Sequence, residues 1–540
     1  METLVFPTIR VYANLTGTWA NISSYVVSDI MGSYGMFENT PTAKTAPEGS
    51  ATFDLNNEDD LFMPGLATSL PGWGKRTEVL FEVEFDGKFK RLLWVVDNIT
   101  GDILDWGDKR VKVRVVDWMT YAAKNPLVLQ AILTNKTISE AVQAIISAMP
   151  IPPKNTEYAT GVDTFPTVFD NLGAKARALT EFQKLSLSEF AYIYLKKDGV
   201  YGETLVVEDR HSRLNTTEPL QIPVSPERSG ALLSDNNGFV ILQENGVPIL
   251  LNKIDTPSFD NATYADAKVT PDELLLNDIS ISAFPKRLDT SNQILSDIAE
   301  PIYLGAGQSY SFKANFVDPY GGGTQINGTD MVTPVTGTHV QMWTNSAGNG
   351  ANLSGNLVFS ATFGAGDVFW QLQNTGSVGG YVTRLRAEGI GVYPYDPQTF
   401  ESSLTVTGSM SSIAQYGSLP LAFDQRYQSS YSVSEGIGTL LASKYGSQRN
   451  ILDYIKAIAN ISYEAMMIYI YGDIGSKIYV GVQRGGIAGY HYVQGVNFVL
   501  NMGGYIDYTF YFVEPLVTDD YWLLEVAGSS ELGQTTVLGI

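Results

Sequence analysis

Apolar and polar residues alternate with a period of two through much of the first 120 positions. The clearest run is Val79-Leu80-Phe81-Glu82-Val83-Glu84-Phe85. Asp86-Gly87 follows, then Lys88-Phe89-Lys90-Arg91-Leu92-Leu93-Trp94. A period of two puts alternate side chains on opposite faces of a strand. Asp-Gly between two such runs is a strong short-range hairpin signal. A second hairpin is predicted through Trp106-Gly107-Asp108, leading into Val111-Lys112-Val113-Arg114-Val115-Val116. Residues 1–120 therefore read as an antiparallel sheet, partly closed into a barrel.

The period changes after residue 120. Thr137-Ile138-Ser139-Glu140 has the form of a capping box. Ile138, Ala141, Val142, Ile145, Ile146 and Met149 then recur at helical spacing until Pro150 stops the run. A second helix is predicted from Leu179 to Tyr194. It is followed by Asp198-Gly199 and a strand, Thr204-Leu205-Val206-Val207-Glu208. Residues 121–215 read as a small α/β domain. Residues 216–290 carry strand-like runs at Val240–Leu242, Ile249–Leu251 and Ile279–Ser282.

Residues 291–395 read as a β-sandwich, with Ser309–Phe316, Val340–Trp343, Leu357–Ser360, Val368–Leu372 and Tyr381–Ala387 as strands at roughly ten-residue spacing. Residues 396–540 return to the first pattern. They hold one predicted helix near Ser434–Lys444, with Ser434 as a candidate cap. Strands are predicted at Ala465–Tyr471, Lys477–Val482, Tyr490–Leu500 and Tyr505–Val513, with further strand-like segments from Trp522 to Leu538. The fold class expected is mainly β in a multi-domain α+β chain. Tube-like antiparallel β-barrel domains lie at both ends, with a small α/β domain and an inserted β-sandwich between them.

Length and composition narrow the function. A chain of 540 residues is too long for one core. With no cysteine, disulfides, thiol nucleophiles and cysteine zinc sites are excluded. A net charge of −22 argues against gripping a nucleic-acid backbone, which needs clustered Lys and Arg. The same charge fits an ordinary soluble acidic protein, and it also fits a channel wall past which DNA slides, since like charges repel over about 10 Å; the sequence leaves both readings open. Met1-Glu2-Thr3 has no basic n-region, so no secretion signal is read, and no stretch reaches the ~18 apolar residues of a membrane helix.

Candidate chemistry is sparse. Asp54-x-Asn56-x-Glu58-Asp59-Asp60 opens like a calcium loop. The required Gly at position six and Glu at position twelve are Asp59 and Gly65 here, so a polar turn is expected instead. His211, His339 and His491 fall in different predicted modules. Hydrolase, metalloprotease and phosphate-loop motifs are absent. Gly436-Ile437-Gly438 is followed by Leu441 rather than glycine, so it is no dinucleotide fingerprint. Trp343 and Trp370 could stack on sugars or could fill the sandwich core. No catalytic, cofactor-binding or metal-binding residue is expected, and the chain is read as a non-enzyme.

The two ends carry a resemblance. They are the stretch Ala51–Pro64 with Arg91–Asp97 and Val111–Asp117, and the stretch Tyr521–Val526 with Glu531-Leu532-Gly533 and Val537-Leu538-Gly539-Ile540. This layout resembles the tail-tip proteins of long-tailed bacteriophages, of the baseplate-hub or minor-tail type. The resemblance implies a structural virion protein that forms a homotrimer mimicking the six-fold tail tube. Its implied partners are the tail tube protein, the distal tail protein, the tape-measure protein and a central fibre or receptor-binding protein, with genomic DNA only in transit. It would be made in the host cytoplasm and end in the tail tip. The alternatives are a carbohydrate-binding receptor-binding protein or adhesin, a distal-tail adaptor, and a secreted polysaccharide hydrolase.

Overall fold

The computed structural model describes residues 4–101, 109–127, 131–170, 176–197, 200–213, 218–223, 254–260, 263–271, 274–321, 323–404 and 412–515. The expected strands at 240–242 and 249–251, the turn at 106–108 and the closing segment from 521 onward lie outside them.

Both ends of the chain build one 13-stranded sheet. From edge to edge its strands are Asp266–Pro271, Asn450–Ile458, Ile506–Val513, Ile487–Leu500, Ile30–Gly35, Ser50–Asn56, Arg110–Val116, Lys88–Gly101, Glu78–Phe85, Thr8–Leu15 and Thr18–Asn21. Lys477–Val482 and Ser258–Phe259 branch from the Ile487–Leu500 strand. Among the described residues the pairings form an open path, with no ladder closing its two outer strands into a barrel. The Glu78–Phe85 and Lys88–Gly101 strands pair around Asp86-Gly87 as the alternation predicts, with Asp86 and Gly87 both at positive φ.

Among the described residues the N-terminal and C-terminal strands meet at one ladder. Ile30–Gly35 runs antiparallel to Ile487–Leu500, with Tyr34 opposite Val496 and Gly32 opposite Phe498. The Phe498 ring lies on Gly32. A Cβ there would strike it and come within 2.7 Å of the Ala51 Cβ. On the buried side, Trp94 packs 6.2 Å from Phe498 and 6.3 Å from Tyr34, ring centre to ring centre. One apolar core therefore holds residues from both ends, from Val11 and Phe81 to Ile455 and Phe512.

Inside that core sits a helix, Tyr463–Tyr471, where the alternation suggested a strand. Its sequence YEAMMIYIY is apolar on every side, so neither period stands out and a short apolar run is ambiguous. The Ser462 hydroxyl accepts the Ala465 N–H at 3.0 Å and starts the helix. Ala465 to Ile470 are all buried, as expected of a helix apolar all round.

The other units pack onto this sheet. In the small α/β unit the helix Ile138–Ser147 begins with the predicted box, Thr137 accepting from the Glu140 N–H and Glu140 accepting from the Thr137 N–H. The second helix is shorter than expected. It spans Ala178–Glu189 and ends where Phe190 turns left-handed, so Tyr192–Lys196 is a strand. The strand Asp278–Ala283 pairs with Gln398–Ser403 and Pro420–Gln425, under the helix Tyr431–Tyr445. That helix starts after Ser430, not at Ser434. The buried Ser434 hydroxyl instead donates to Gln425 Oε1 at 2.6 Å. Gly438 lies flat on the Phe400 ring, a packing role. Because Ala283 pairs with Gln398, the intervening sandwich leaves and re-enters the scaffold at one point. The sandwich has its own core around Phe316, Met342, Trp370 and Val382.

Two outcomes follow for stability. Gly32→Val should cost about 1–3 kcal/mol by overpacking against Phe498, and Thr137→Ala should cost about 1 kcal/mol through the lost cap. Urea unfolding monitored by circular dichroism measures both.

Candidate functional site

The residues singled out for chemistry are dispersed by the fold. Asp54 and Asn56 end a strand and Glu58–Asp60 form a turn, in which Asn57 Oδ1 accepts the Phe62 N–H at 2.7 Å. His339 is buried in the sandwich, where Nδ1 accepts the Val335 N–H and Nε2 lies 3.2 Å from Glu388. His491 is buried in the large sheet, and burial pushes its pKa down. His211 lies in a loop of the α/β unit, exposed at its surface. Among the described residues no three His, Asp or Glu side chains are placed to hold a metal ion. Trp370 fills the sandwich core, whereas Trp343 is half-exposed on its outside.

What the fold does assemble is a buried charged seam, invisible in the sequence because its members come from five separate segments. Lys90 Nζ donates to the Gly472 carbonyl at 2.8 Å and lies 3.5 Å from Asp473 Oδ2. Asp473 also accepts the Tyr34 hydroxyl at 3.1 Å and the Lys197 N–H at 2.9 Å. Lys197 Nζ donates to the Leu93 carbonyl at 2.6 Å and to Glu203 Oε2 at 2.9 Å, and stands 4.2 Å from the centre of the Trp94 ring. Asp117 accepts the Gly49 N–H at 2.9 Å, while its other oxygen has no partner among the described residues. Burial pushes the Asp117 pKa up to about 7, against the opposing pull of Lys197. With Asp117 holding its proton, two lysines face two carboxylates and the seam is neutral. It joins the N-terminal strands, the α/β unit and the loop after the buried helix into one body.

A second buried group sits beside it. Arg213 Nε pairs with Glu208 Oε2 at 2.6 Å, and its guanidinium lies 3.7 Å from the Tyr192 ring centre. Lys44 Nζ donates to the Tyr192 hydroxyl at 2.7 Å. Burial first, and then the neighbouring Arg213, holds the Lys44 pKa well below the usual lysine range. These contacts tie the segment after Ile30–Gly35 to the α/β unit, as do the Ala46 N–H to Ile193 carbonyl and Ile193 N–H to Lys44 carbonyl bonds, both 2.9 Å. Both groups lie inside the fold and bond mainly to internal partners, although Asp117 Oδ1 and the Arg213 Nη1 and Nη2 atoms have no hydrogen-bond partner among the described residues.

The surfaces open to other chains are the outer strands of the large sheet. The Asp266–Pro271 edge is blunted against further pairing by a bulge between Lys268 and Val269, an edge lysine and a proline. The Thr18–Asn21 edge is short, uncharged and exposes Trp19. The outward face near it is a charge ladder. Arg10 bridges Glu82 and Glu84, Arg91 reaches Glu82 at 2.9 Å, and Lys112 stands opposite Asp54.

The seam makes two predictions. Asp473→Ala removes the carboxylate beside Lys90 and the acceptor of the Tyr34 hydroxyl and the Lys197 N–H together, so it should cost about 3–5 kcal/mol in urea unfolding. Asp117 is an acid whose folded pKa lies above its unfolded value near 4. The folded state keeps its proton longer, so this group's contribution is best below about pH 4, falls as pH rises to about 7 and is level above. Asp117→Asn should therefore gain on the native protein between pH 5 and 7, by at most ~1.4 kcal/mol per pH unit. Unfolding midpoints of both proteins across that range test it.

No protein-family model matches the chain, and no curated protein matches it. Solved structures do. The chain is similar to the 43 kDa tail protein of prophage MuSo2 from Shewanella oneidensis, at 8% identity over 94% of this chain and 98% of that one, with a TM-score of 0.43. It is similar to the tail protein from Neisseria meningitidis MC58, at 9% identity over 94% and 97% of the two chains, with a TM-score of 0.43. It is also similar to the prophage tail protein gp18 from Listeria monocytogenes EGD-e, at 10% identity over 93% and 94%, with a TM-score of 0.37.

Proposed function

We propose that this chain is a structural protein of a bacteriophage tail tip, acting as a baseplate hub that joins the tail tube to distal tail-tip or receptor-binding parts. The observation that carries the reading is the ladder between Ile30–Gly35 and Ile487–Leu500, which fuses strands from both ends into one extended sheet. A protein built to hold a ring needs a rigid sheet with usable edges and faces rather than a catalytic pocket. The buried seam supplies rigidity between units, and the short Thr18–Asn21 edge supplies a place to continue pairing. Three copies would close a ring around a channel, in keeping with the closed symmetry usual in homo-oligomers. The net charge of −22 suits a wall that DNA passes without adhering. In this reading the chain is not an enzyme. Its partners are further copies of itself, the tail tube and distal tail proteins, the tape-measure protein and a central fibre, and its place is the virion.

Light scattering and electron-microscope class averages of the purified chain test this. A mass of three chains and a three-fold ring with a central opening are expected. A six-fold ring would make the protein a distal-tail adaptor, and a chain that stays monomeric and forms no ring would overturn the reading. Trp19→Glu on the exposed edge should leave the melting temperature unchanged and abolish the ring.

A further inference from the structure

The inserted sandwich presents a surface that the scaffold does not need. Three of its strands, Ile302–Leu304, Gly380–Leu385 and Val340–Trp343, form one sheet. In its register Tyr303 stands opposite Tyr381, and Tyr381 stands opposite Trp343. Residues paired across neighbouring strands share a face. On the other face of the same sheet Met342, Val382 and Leu304 are buried in the sandwich core. The three aromatic side chains therefore stand in a row on the outside. Tyr303 is 56% exposed, and Tyr381 and Trp343 are half-exposed. At about 4.8 Å between strands the row spans roughly 10 Å. The Tyr303 and Tyr381 rings lie 5.0 Å apart at 57°, giving a stepped platform.

The surroundings hold this row in place. A Cβ on Gly379 would run into the Tyr303 ring, so the backbone there is cleared for it. The loop after Trp343 is ordered by its own bonds. The Thr344 N–H donates to the Ala351 carbonyl and the Ala351 N–H to Thr344 Oγ1, both at 3.0 Å, and Asn345 Nδ2 donates to Asn349 Oδ1 at 2.6 Å. The loop turns back beside the Trp343 indole through Gly348.

The charge pattern identifies the occupant. Asp, Glu, Lys and Arg make up 17% of the chain, yet in the strands and loop that build this face, Ile302–Leu304, Val340–Trp343, residues 344–356 and Gly380–Leu385, the one such residue is Arg384. Arg384 is turned to the Thr338 carbonyl, and Arg386 is paired with Asp297 at 2.7 Å. In a protein of net charge −22, a face with Arg384 as its one formal charge, and otherwise edged with hydroxyls and amides, lacks the cluster of cations that phosphate or a lipid headgroup needs and the run of charges that a charged peptide needs. It suits an uncharged ligand that combines an apolar C–H face, for the electron-rich faces of the rings, with hydroxyls for Thr344, Asn345, Asn349 and Thr383. We propose that this face binds a neutral oligosaccharide, stacked along Tyr303, Tyr381 and Trp343.

The test uses the full-length chain on an array of neutral and acidic glycans, followed by calorimetry with cellotriose, maltotriose and chitotriose. Retention of neutral glycans is expected. Tyr303→Ala and Trp343→Ala should each weaken binding about tenfold, the scale of one lost aromatic contact, with the melting temperature unchanged. Tyr303→Phe should keep most of the affinity. Retention of no glycan, retention of acidic glycans alone, or native affinity in both alanine variants would overturn the proposal. None of these outcomes depends on whether the chain forms a ring.

Discussion

The backbone pairing of Ile30–Gly35 with Ile487–Leu500 is the constraint on which the other units depend. It closes a loop of more than four hundred residues, so everything between must be an excursion that returns to the sheet. The α/β unit returns through the Lys44–Ala46 bonds to Ile193, and the sandwich through the Ala283–Gln398 register. At its centre Gly32 lies under Phe498, so the ring packs directly on the backbone of the opposite strand. Such long-range pairing gives no local reward while it forms, so the core around Trp94, Tyr34 and Phe498 must supply the stabilisation.

The buried seam works differently from the core. Burying Lys90, Lys197, Asp473 and Glu203 costs desolvation, and pairing offsets that cost only when the geometry is met. Apolar contacts would accept several ways of docking the α/β unit onto the sheet. The seam accepts one, because Lys197 must reach Leu93 and Glu203 through its ammonium while its N–H reaches Asp473. Specificity of docking, rather than added stability, is what this arrangement contributes. A body held together by buried charge pairs leaves its outer strands and faces free for contacts with other chains.

The sandwich keeps a separate core and touches the scaffold through a small set of contacts. Lys286 pairs with Asp170 at 2.6 Å, and the Thr329 hydroxyl donates to the Ile132 carbonyl at 3.1 Å. Its aromatic face lies on strands that pack on that separate core, so a binding surface there can vary without disturbing the large sheet.

Local chemistry made much of this legible in the sequence. The Asp86-Gly87 hairpin, the capping box at Thr137 and Glu140, and the alternating strands of the sandwich each follow from neighbours a few residues apart, where period and turn chemistry act directly. The run at Tyr463–Tyr471 was not legible, because a segment apolar on every side carries no period and only its burial inside a sheet makes it a helix. The start of the Tyr431–Tyr445 helix was misplaced for a related reason, since Ser434 serves a buried partner, Gln425, rather than the helix end. The seam and the aromatic row could not be read at all. Lys90, Lys197 and Asp473, like Tyr303, Trp343 and Tyr381, are brought together by strand register and docking over long separations. The sequence by itself determined the strands whose alternation is clear, such as Glu78–Phe85, that cysteine chemistry is absent and that the chain is acidic. Tertiary structure alone decided which strands pair, which charges are buried and which aromatic rings face outward, because those depend on contacts between residues that no local period connects.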